Sequence, residues 1–238
     1  MATKIISHRG RTSKNSEDNT LQAINDAIDL NVDMVEVDVR RTKDSQIVCF
    51  HDPMLNEIPL KNMNYSEIIE INSNIPTLEQ ILWSCKDKIE VDIEFKESGY
   101  EEDVISMLLD YFEYEDFIAK SFNIDIVKKI KFIDGKIKAG LLLGSEVSFN
   151  QLLEVISESL FLYKFKASRA DFISPYYKIY EAGWFNRFAS NRIPIQVWTV
   201  NDQDLLKTLI HQDIYSVVTD TPEIALKIRE SIKNVEIK

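Results

Sequence analysis

The chain has 238 residues, 45% hydrophobic and 28% charged, the proportions of an ordinary globular domain long enough to bury a core without staples. Its 28 basic and 39 acidic residues leave a net charge of −11, which argues against nucleic acid as a partner, because a polyanion needs a basic footprint. No stretch approaches the ~20 apolar residues of a spanning helix, and the start MATKIISHRG has no apolar leader segment, so a cytoplasmic location without stable membrane insertion is expected.

Short β-branched runs alternate with longer segments of helical period along the whole chain. Lys4–Ser7 reads as the first strand and runs directly into His8-Arg9-Gly10. Leu21–Leu30 reads as a helix, and Met34–Val39 as the second strand. Gln46–His51 is also strand-like, but only Arg41–Ser45 separates it from Met34–Val39. A parallel crossover needs about a dozen residues, so this segment is expected to fold back as a short antiparallel arm that lifts His51. Asp52–Ile75 is the least regular stretch, expected to be a small insertion with short helices. Then follow helix Thr77–Cys85, strand Ile89–Phe95, helix Glu102–Phe112, strand Phe117–Phe122, helix Ile124–Phe132 and strand Ile137–Leu143. Helix Phe149–Phe161, strands Asp171–Ser174 and Ile193–Val200, helix Gln203–Ile210 and strand Tyr215–Thr219 complete the series. The two cysteines, Cys49 and Cys85, form no CxxC pair and read as reduced thiols. Strands alternating with helices in this way predict an α/β chain, a TIM-type (β/α)8 barrel, which typically needs ~250 residues. With no linker or repeat in view, residues 1–238 read as one domain, with 52–75 inserted after the second strand.

Two strands carry the sharpest chemical signal. Alternate side chains of a strand face opposite sides, so Val35, Val37 and Val39 oppose Glu36, Asp38 and Arg40, while Val91, Ile93 and Phe95 oppose Asp92, Glu94 and Lys96. In a barrel the apolar face packs under the helices, and the charged face must point inward. Crowded buried carboxylates are costly, and a bound cation offsets their repulsion. With oxygen donors and no Cys/His cluster, the cation expected is Mg²⁺ or Ca²⁺.

Of the three histidines, His8 ends the first strand and His51 ends the arm, next to Asp52. Imidazoles titrate near neutrality, so two of them can divide the work of base and acid. His211, on a late helix, reads as structural. Arg9 and Lys96 are candidate phosphate-binding cations, and Trp198, sharing a strand face with Gln196, is expected to point into the barrel mouth.

In order, these residues resemble the glycerophosphodiester phosphodiesterase family. The likeness rests on His8-Arg9-Gly10, Asp18-Asn19-Thr20, Glu36-Val37-Asp38-Val39 with Thr42 and Asp44, His51-Asp52 and Ile75-Pro76-Thr77-Leu78-Glu79. It continues through Ile93-Glu94-Phe95-Lys96, Ser121-Phe122, Trp198-Thr199-Val200-Asn201 and Thr219-Asp220. The resemblance implies His8 and His51 as the acid–base pair, and Glu36, Asp38 and Glu94 as ligands of the divalent cation. It further implies Arg9 and Lys96 on the phosphate, with Phe122 and Trp198 lining the pocket. The reaction implied is hydrolysis of a small glycerophosphodiester to sn-glycerol 3-phosphate and an alcohol, an activity of lipid and glycerol metabolism. Two alternatives keep the same residues: a phospholipase D-like hydrolase of lysophospholipids, and a non-catalytic phosphoester-binding barrel. The chain departs from the family pattern in four places. Asp18 replaces a Glu, a change expected to reshape the hydrogen bonds around His8. The Arg-Thr usual after His-Asp is absent, the insertion is short enough to leave the mouth open on that side, and Lys120 adds a cation where a neutral residue is expected.

Overall fold

Val35, Val37 and Val39 are wholly buried on one face of their strand, and Glu36, Asp38 and Arg40 are buried on the other. A strand covered on both faces is what a barrel under helices requires. In the computed structural model, which describes residues 2–13, 17–144, 158–181 and 193–236, the strands in chain order begin with β1 (Lys4–Ser7), β2 (Met34–Arg41) and β3 (Ile47–Cys49). Two-residue strands β4 (Met54–Leu55) and β5 (Ile58–Pro59) follow, then β6 (Glu90–Phe95), β7 (Phe117–Ser121), β8 (Ala139–Leu143), β9 (Phe172–Pro175), β10 (Gln196–Val197) and β11 (Ser216–Thr219).

The main sheet runs in the order β10-β11-β1-β2-β6-β7-β8-β9, with every neighbouring pair parallel. Its two ends meet through single parallel bridges, Ile173 with Ile195 and Tyr176 with Trp198. Ile173 N–H donates to the Pro194 carbonyl at 3.0 Å, and Trp198 N–H to that of Pro175 at 3.2 Å. The result is a nearly closed TIM-type barrel of eight parallel strands. The strand expected over Ile193–Val200 is ladder-paired only at Gln196–Val197, because closure proceeds by isolated bridges and Pro194 has no N–H to give.

The expected antiparallel arm is β3, paired with the end of β2 so that Val39 faces Cys49 and Arg41 faces Ile47. The insertion beyond it consists of the β4–β5 ribbon, a 3-10 turn over Leu60–Asn62 and helix α2 (Tyr65–Ile71). Leu55, Leu60, Met63, Ile68 and Ile75 pack with Val48 of the arm into a small separate core. The barrel helices described are α1 (Leu21–Asp29), α3 (Leu78–Cys85), α4 (Glu101–Tyr111), α5 (Ile124–Ile133), α6 (Glu158–Ser168), α7 (Tyr177–Glu181), α8 (Gln203–His211) and α9 (Pro222–Glu236). The helix expected over Phe149–Phe161 lies outside the described residues except for its last positions, which belong to α6.

Start signals are local and strong. The Thr20 side chain accepts from Ala23 N–H to cap α1, and Thr77 with Gln80 forms a full capping box on α3. The faces these helices bury, such as Ala23, Ile24 and Ala27 or Ile81, Leu82 and Cys85, close over the outward valines of β2 and their equivalents on β6. Each fully buried branched side chain there contributes about 1.5–3 kcal/mol. Cys49 and Cys85 are both buried and unbridged. Among the described residues no helix is long and apolar enough to cross a membrane.

Inside the barrel the floor is apolar: Ile6, Met34, Ile118, Phe172 and Val218 pack together, with Tyr215 and Trp198 against them. Phe172 fills the axis because Gly140 opposite it has no side chain; a Cβ there would lie 2.2 Å from the ring. Above this plug the interior turns polar, with Glu36, Asp38, Asp92, Glu94, Lys120 and Gln196 all buried.

Candidate active site

The turn after β1 places the first histidine. Arg9 and Gly10 both adopt left-handed backbone, with φ of 54° and 75°, and a Cβ on Gly10 would meet the main chain of Ala23 at 2.9 Å. Only glycine lets the chain pass so close to α1. The turn sets His8 over the mouth and aims Arg9 N–H at Glu36 Oε2, 3.0 Å away.

The His8 ring binds Asp220 Oδ1 through Nδ1 at 2.7 Å. Asp220 follows β11 and is also held by Asn201 Nδ2 at 2.6 Å. Burial pushes the Asp220 carboxyl up, but the bonds from His8 and Asn201 and the nearby charges outweigh it and hold it at about 2. A carboxylate fixed on Nδ1 sets the tautomer and leaves Nε2 for chemistry. His51, at the end of the arm, repeats the device with Asp52, Nδ1 to Oδ1 at 2.7 Å. Burial and the charges of Lys96 and Arg9 push the His51 imidazole below its usual value, so at pH 7 it is mainly neutral.

Beneath the histidines, β2 and β6 run in register with Glu36 opposite Asp92 and Asp38 opposite Glu94. Glu36, Asp38 and Glu94 are buried and each offers a carboxylate oxygen within 4.8 Å of the others. Asn19 fixes Asp38, donating to Oδ2 at 2.9 Å and accepting the Asp38 N–H at 3.0 Å. Arg9 Nε lies 3.0 Å from Asp38 Oδ2, Lys96 Nζ lies 2.8 Å from Asp38 Oδ1, and Lys96 also pairs with Glu94. Lower down, Lys120 lies 2.7 Å from Asp92 and 3.7 Å from Glu36. Although burial opposes it, Lys96 and Arg9 hold Asp38 ionised, well below the usual carboxylate range. Glu94 moves the other way, raised by burial and by the charges of Asp38 and Glu36.

Does this cluster suit a divalent cation? Four buried carboxylates face the buried Lys120 and the half-buried Arg9 and Lys96, one negative charge more than these cations carry when all four acids are ionised. Asp38 Oδ1 is fully enclosed yet accepts no well-angled hydrogen bond, despite the nearby Lys96 ammonium. Three convergent oxygens with one unspent lone-pair site, and no sulfur or ring nitrogen among them, match the donor set of a hard cation. The residues fit the group.

A cavity of about 620 Å³ opens above the cluster and is bordered by His8, Arg9, His51, Lys96, Phe122 and Trp198, with Glu36 and Glu94 in its floor. Every residue singled out for the site in the sequence therefore borders this cavity or, for Asp38, sits just below it. Trp198 is pinned by its Nε1–H to the Ser174 carbonyl at 2.8 Å and stands edge-on to Phe122, ring centroids 5.5 Å apart. His211 sits exposed at the end of α8, away from the mouth.

The expectation for Asp18 needs correction. Its carboxylate binds Arg9 Nη1 at 3.1 Å and Arg11 through Nε and Nη2, so the shorter side chain orders the two arginines, and the His8 partner is Asp220. Lys120 faces inward and adds a cation to the cavity lining as expected, where it is buried as the counter-ion of Asp92, whose carboxyl burial pushes up to about 6. Sequence reasoning passed over Asp220, Asn201 and Asn19 as working parts, although all three stand in the motifs. For Asp220 the available signal was its position, a carboxylate just past the C-terminal end of a barrel strand.

TIM barrels carry their chemistry at the C-terminal mouth of the strands, and here that mouth presents two carboxylate-backed histidines over an acid cluster flanked by cations. Fold and site together define a TIM-type barrel with a polar candidate active site at its C-terminal mouth. The chain belongs to the glycerophosphoryl diester phosphodiesterase family, whose model matches residues 8–224. A glycerophosphodiester phosphodiesterase of Caldanaerobacter subterraneus is 27% identical, over 94% of this chain and 96% of that protein. The crystal structure of the glycerophosphodiester phosphodiesterase of Thermotoga maritima is 26% identical, covers 96% of this chain and 99% of its own, and superposes with a TM-score of 0.80. A phosphodiesterase of Oleispira antarctica, solved with the product sn-glycerol-3-phosphate, shares the fold at 19% identity and a TM-score of 0.80, over 98% of this chain and 97% of its own.

Proposed function

We propose that this phosphodiesterase hydrolyses glycerophosphodiesters to sn-glycerol 3-phosphate and a free alcohol, using His8 and His51 as its acid–base pair and one divalent cation, Mg²⁺ or Ca²⁺. The observation that carries the reading is the convergence on one cavity of two histidines, each with a carboxylate on Nδ1, above Glu36, Asp38 and Glu94. The product bound in the Oleispira antarctica relative supports the phosphate end of the reaction.

Glu36, Asp38 and Glu94 would hold the cation, which when bound supplies Lewis-acid polarisation of the phosphate. Arg9 and Lys96 place positive charge where the transferring phosphoryl group gains negative charge. His51, mainly neutral at pH 7, is suited to take the proton of the attacking hydroxyl. The hydroxyl proposed is the glycerol oxygen next to the phosphoester, which closes a cyclic phosphate. His8 gives a proton from Nε2 to the departing alkoxide while Asp220 stabilises the imidazolium. Water then opens the cyclic phosphate with the two histidine roles reversed. Phe122 and Trp198 offer the substrate an apolar wall.

The test is release of glycerol 3-phosphate from glycerophosphocholine by wild type, His8→Ala and His51→Ala, with and without EDTA. Each substitution is expected to lower kcat about 10²–10⁴-fold with the fold intact, and chelation should abolish turnover until Mg²⁺ or Ca²⁺ is restored. A wild-type rate in either variant, or indifference to EDTA, would refute the corresponding part.

A further inference from the structure

One buried cation of the mouth is committed to neither the acid cluster nor the substrate cavity. Arg40, on the inward face of β2 and 7% exposed, donates Nε–H and Nη2–H to the main-chain carbonyl of His51 at 3.0 and 2.7 Å. Its remaining arm, Nη1, pairs with Glu97. A buried guanidinium in so acidic a chain thus spends two of its donors on one neutral oxygen.

That oxygen sits where the sheet stops helping. The β2–β3 ladder ends with Val39 opposite Cys49, and Phe50 N–H adds one bond to the Asp38 carbonyl at 3.0 Å. His51 is the next residue, in a bend beyond the pairing. Its ring is tied to Asp52, but those side chains are 42% and 67% exposed, and an exposed pair of this kind fixes geometry weakly. On the far side, Glu97 follows Lys96, and its N–H donates to Tyr100 Oη, which donates in turn to the Val39 carbonyl at 2.7 Å. The guanidinium therefore ties the His51 main chain to β2, which carries Glu36 and Asp38, and to the segment that leaves β6 just after Glu94 and Lys96.

We propose that Arg40 is a positioning residue for His51, holding the imidazole at its height and direction over the acid cluster through the main-chain carbonyl. The proposal rests on the reading of His51 as an acid–base group. Only a planar fork delivers two parallel N–H groups to one acceptor, so lysine should replace it poorly.

A double-mutant cycle separates this role from general stability. kcat and KM for glycerophosphocholine are measured for wild type, Arg40→Met and Arg40→Lys, each with His51 intact and with His51→Ala. Arg40→Met is expected to lower kcat about 10–100-fold, the cost of misplacing a reacting group by about an ångström, with KM held within about 3-fold. Arg40→Lys should recover only part of that loss. In the His51→Ala background the same substitutions should change kcat by less than about 2-fold, because the group they position is gone. Equal losses in both backgrounds, or an unchanged kcat in Arg40→Met, would overturn the proposal. If Arg40→Met does not fold, Arg40→Lys carries the same cycle. A wild-type rate in His51→Ala alone is a different result: it removes the acid–base reading and this proposal with it.

Discussion

Asp220 shows how much one side chain outside the acid cluster decides. It holds His8 Nδ1 at 2.7 Å and is itself held by Asn201, so in the proposed mechanism the proton that His8 exchanges with substrate is carried on Nε2. Asp220→Asn keeps the shape but offers an amide, and should lower kcat about 10–100-fold through the wrong tautomer and a less stabilised imidazolium. The same residue predicts a pH dependence of stability. Its folded pKa is depressed to about 2, below the usual aspartate value of about 3.9. A depressed carboxyl contributes stability that is present above the unfolded value and is lost as pH falls through the folded one. The Tm deficit of Asp220→Asn should therefore be largest above about pH 4 and shrink toward pH 2, as thermal melts across that range would show. A deficit that stays constant with pH would contradict the assignment.

At the scale of an element, strands β8 and β9 divide the barrel axis between them. Phe172 is completely buried in the apolar floor, and its ring occupies the space a Cβ of Gly140 would need. Overpacking of a filled core costs about 1–3 kcal/mol, and a 2.2 Å approach to ring carbons leaves no easy relief. Gly140→Ala should therefore be destabilised by about that amount in denaturant melts, while a companion Phe172→Leu should regain part of the loss by freeing space. The glycine is needed here for close approach, whereas Gly10 is needed for its left-handed turn as well. Both serve the site indirectly: the floor supports the polar layer of Lys120, Asp92 and Gln196, and the turn aims His8.

For the whole molecule the deciding quantity is the charge carried inside the barrel. Asp38, Asp92 and Glu94 are enclosed with Glu36 in a protein whose net charge is already −11, and of the nearby cations Arg40 is taken by Glu97 and Arg9 is shared with Asp18. A divalent cation bound at Glu36, Asp38 and Glu94 favours the folded state by mass action, about 2.7 kcal/mol at a hundredfold excess over Kd. For a chain of this size that corresponds to a Tm rise of about 5–10 °C. Calorimetry with Mg²⁺, Ca²⁺ and EDTA should show the rise in wild type and its absence in Asp38→Asn. An equal rise in both proteins would place the ion elsewhere.

What the sequence by itself determined follows from short-range rules. The period-two alternation through Glu36 and Asp38 and through Asp92 and Glu94 was enough to predict that carboxylates face inward, because a strand has only two faces. The short Arg41–Ser45 link was enough to predict an antiparallel arm, and the ordered motifs were enough to indicate the family. Only the tertiary structure decided which partners those groups take. Asp220 meets His8 from the other end of the chain, Asp18 turns to the arginines, Lys120 sinks beside Asp92, and Arg40 grips the carbonyl of His51. The Asp220 and Lys120 pairings depend on how the barrel closes and staggers, which is set by packing between strands distant in sequence, while those of Asp18 and Arg40 depend on where a turn and a hairpin end aim their side chains, which no periodicity records.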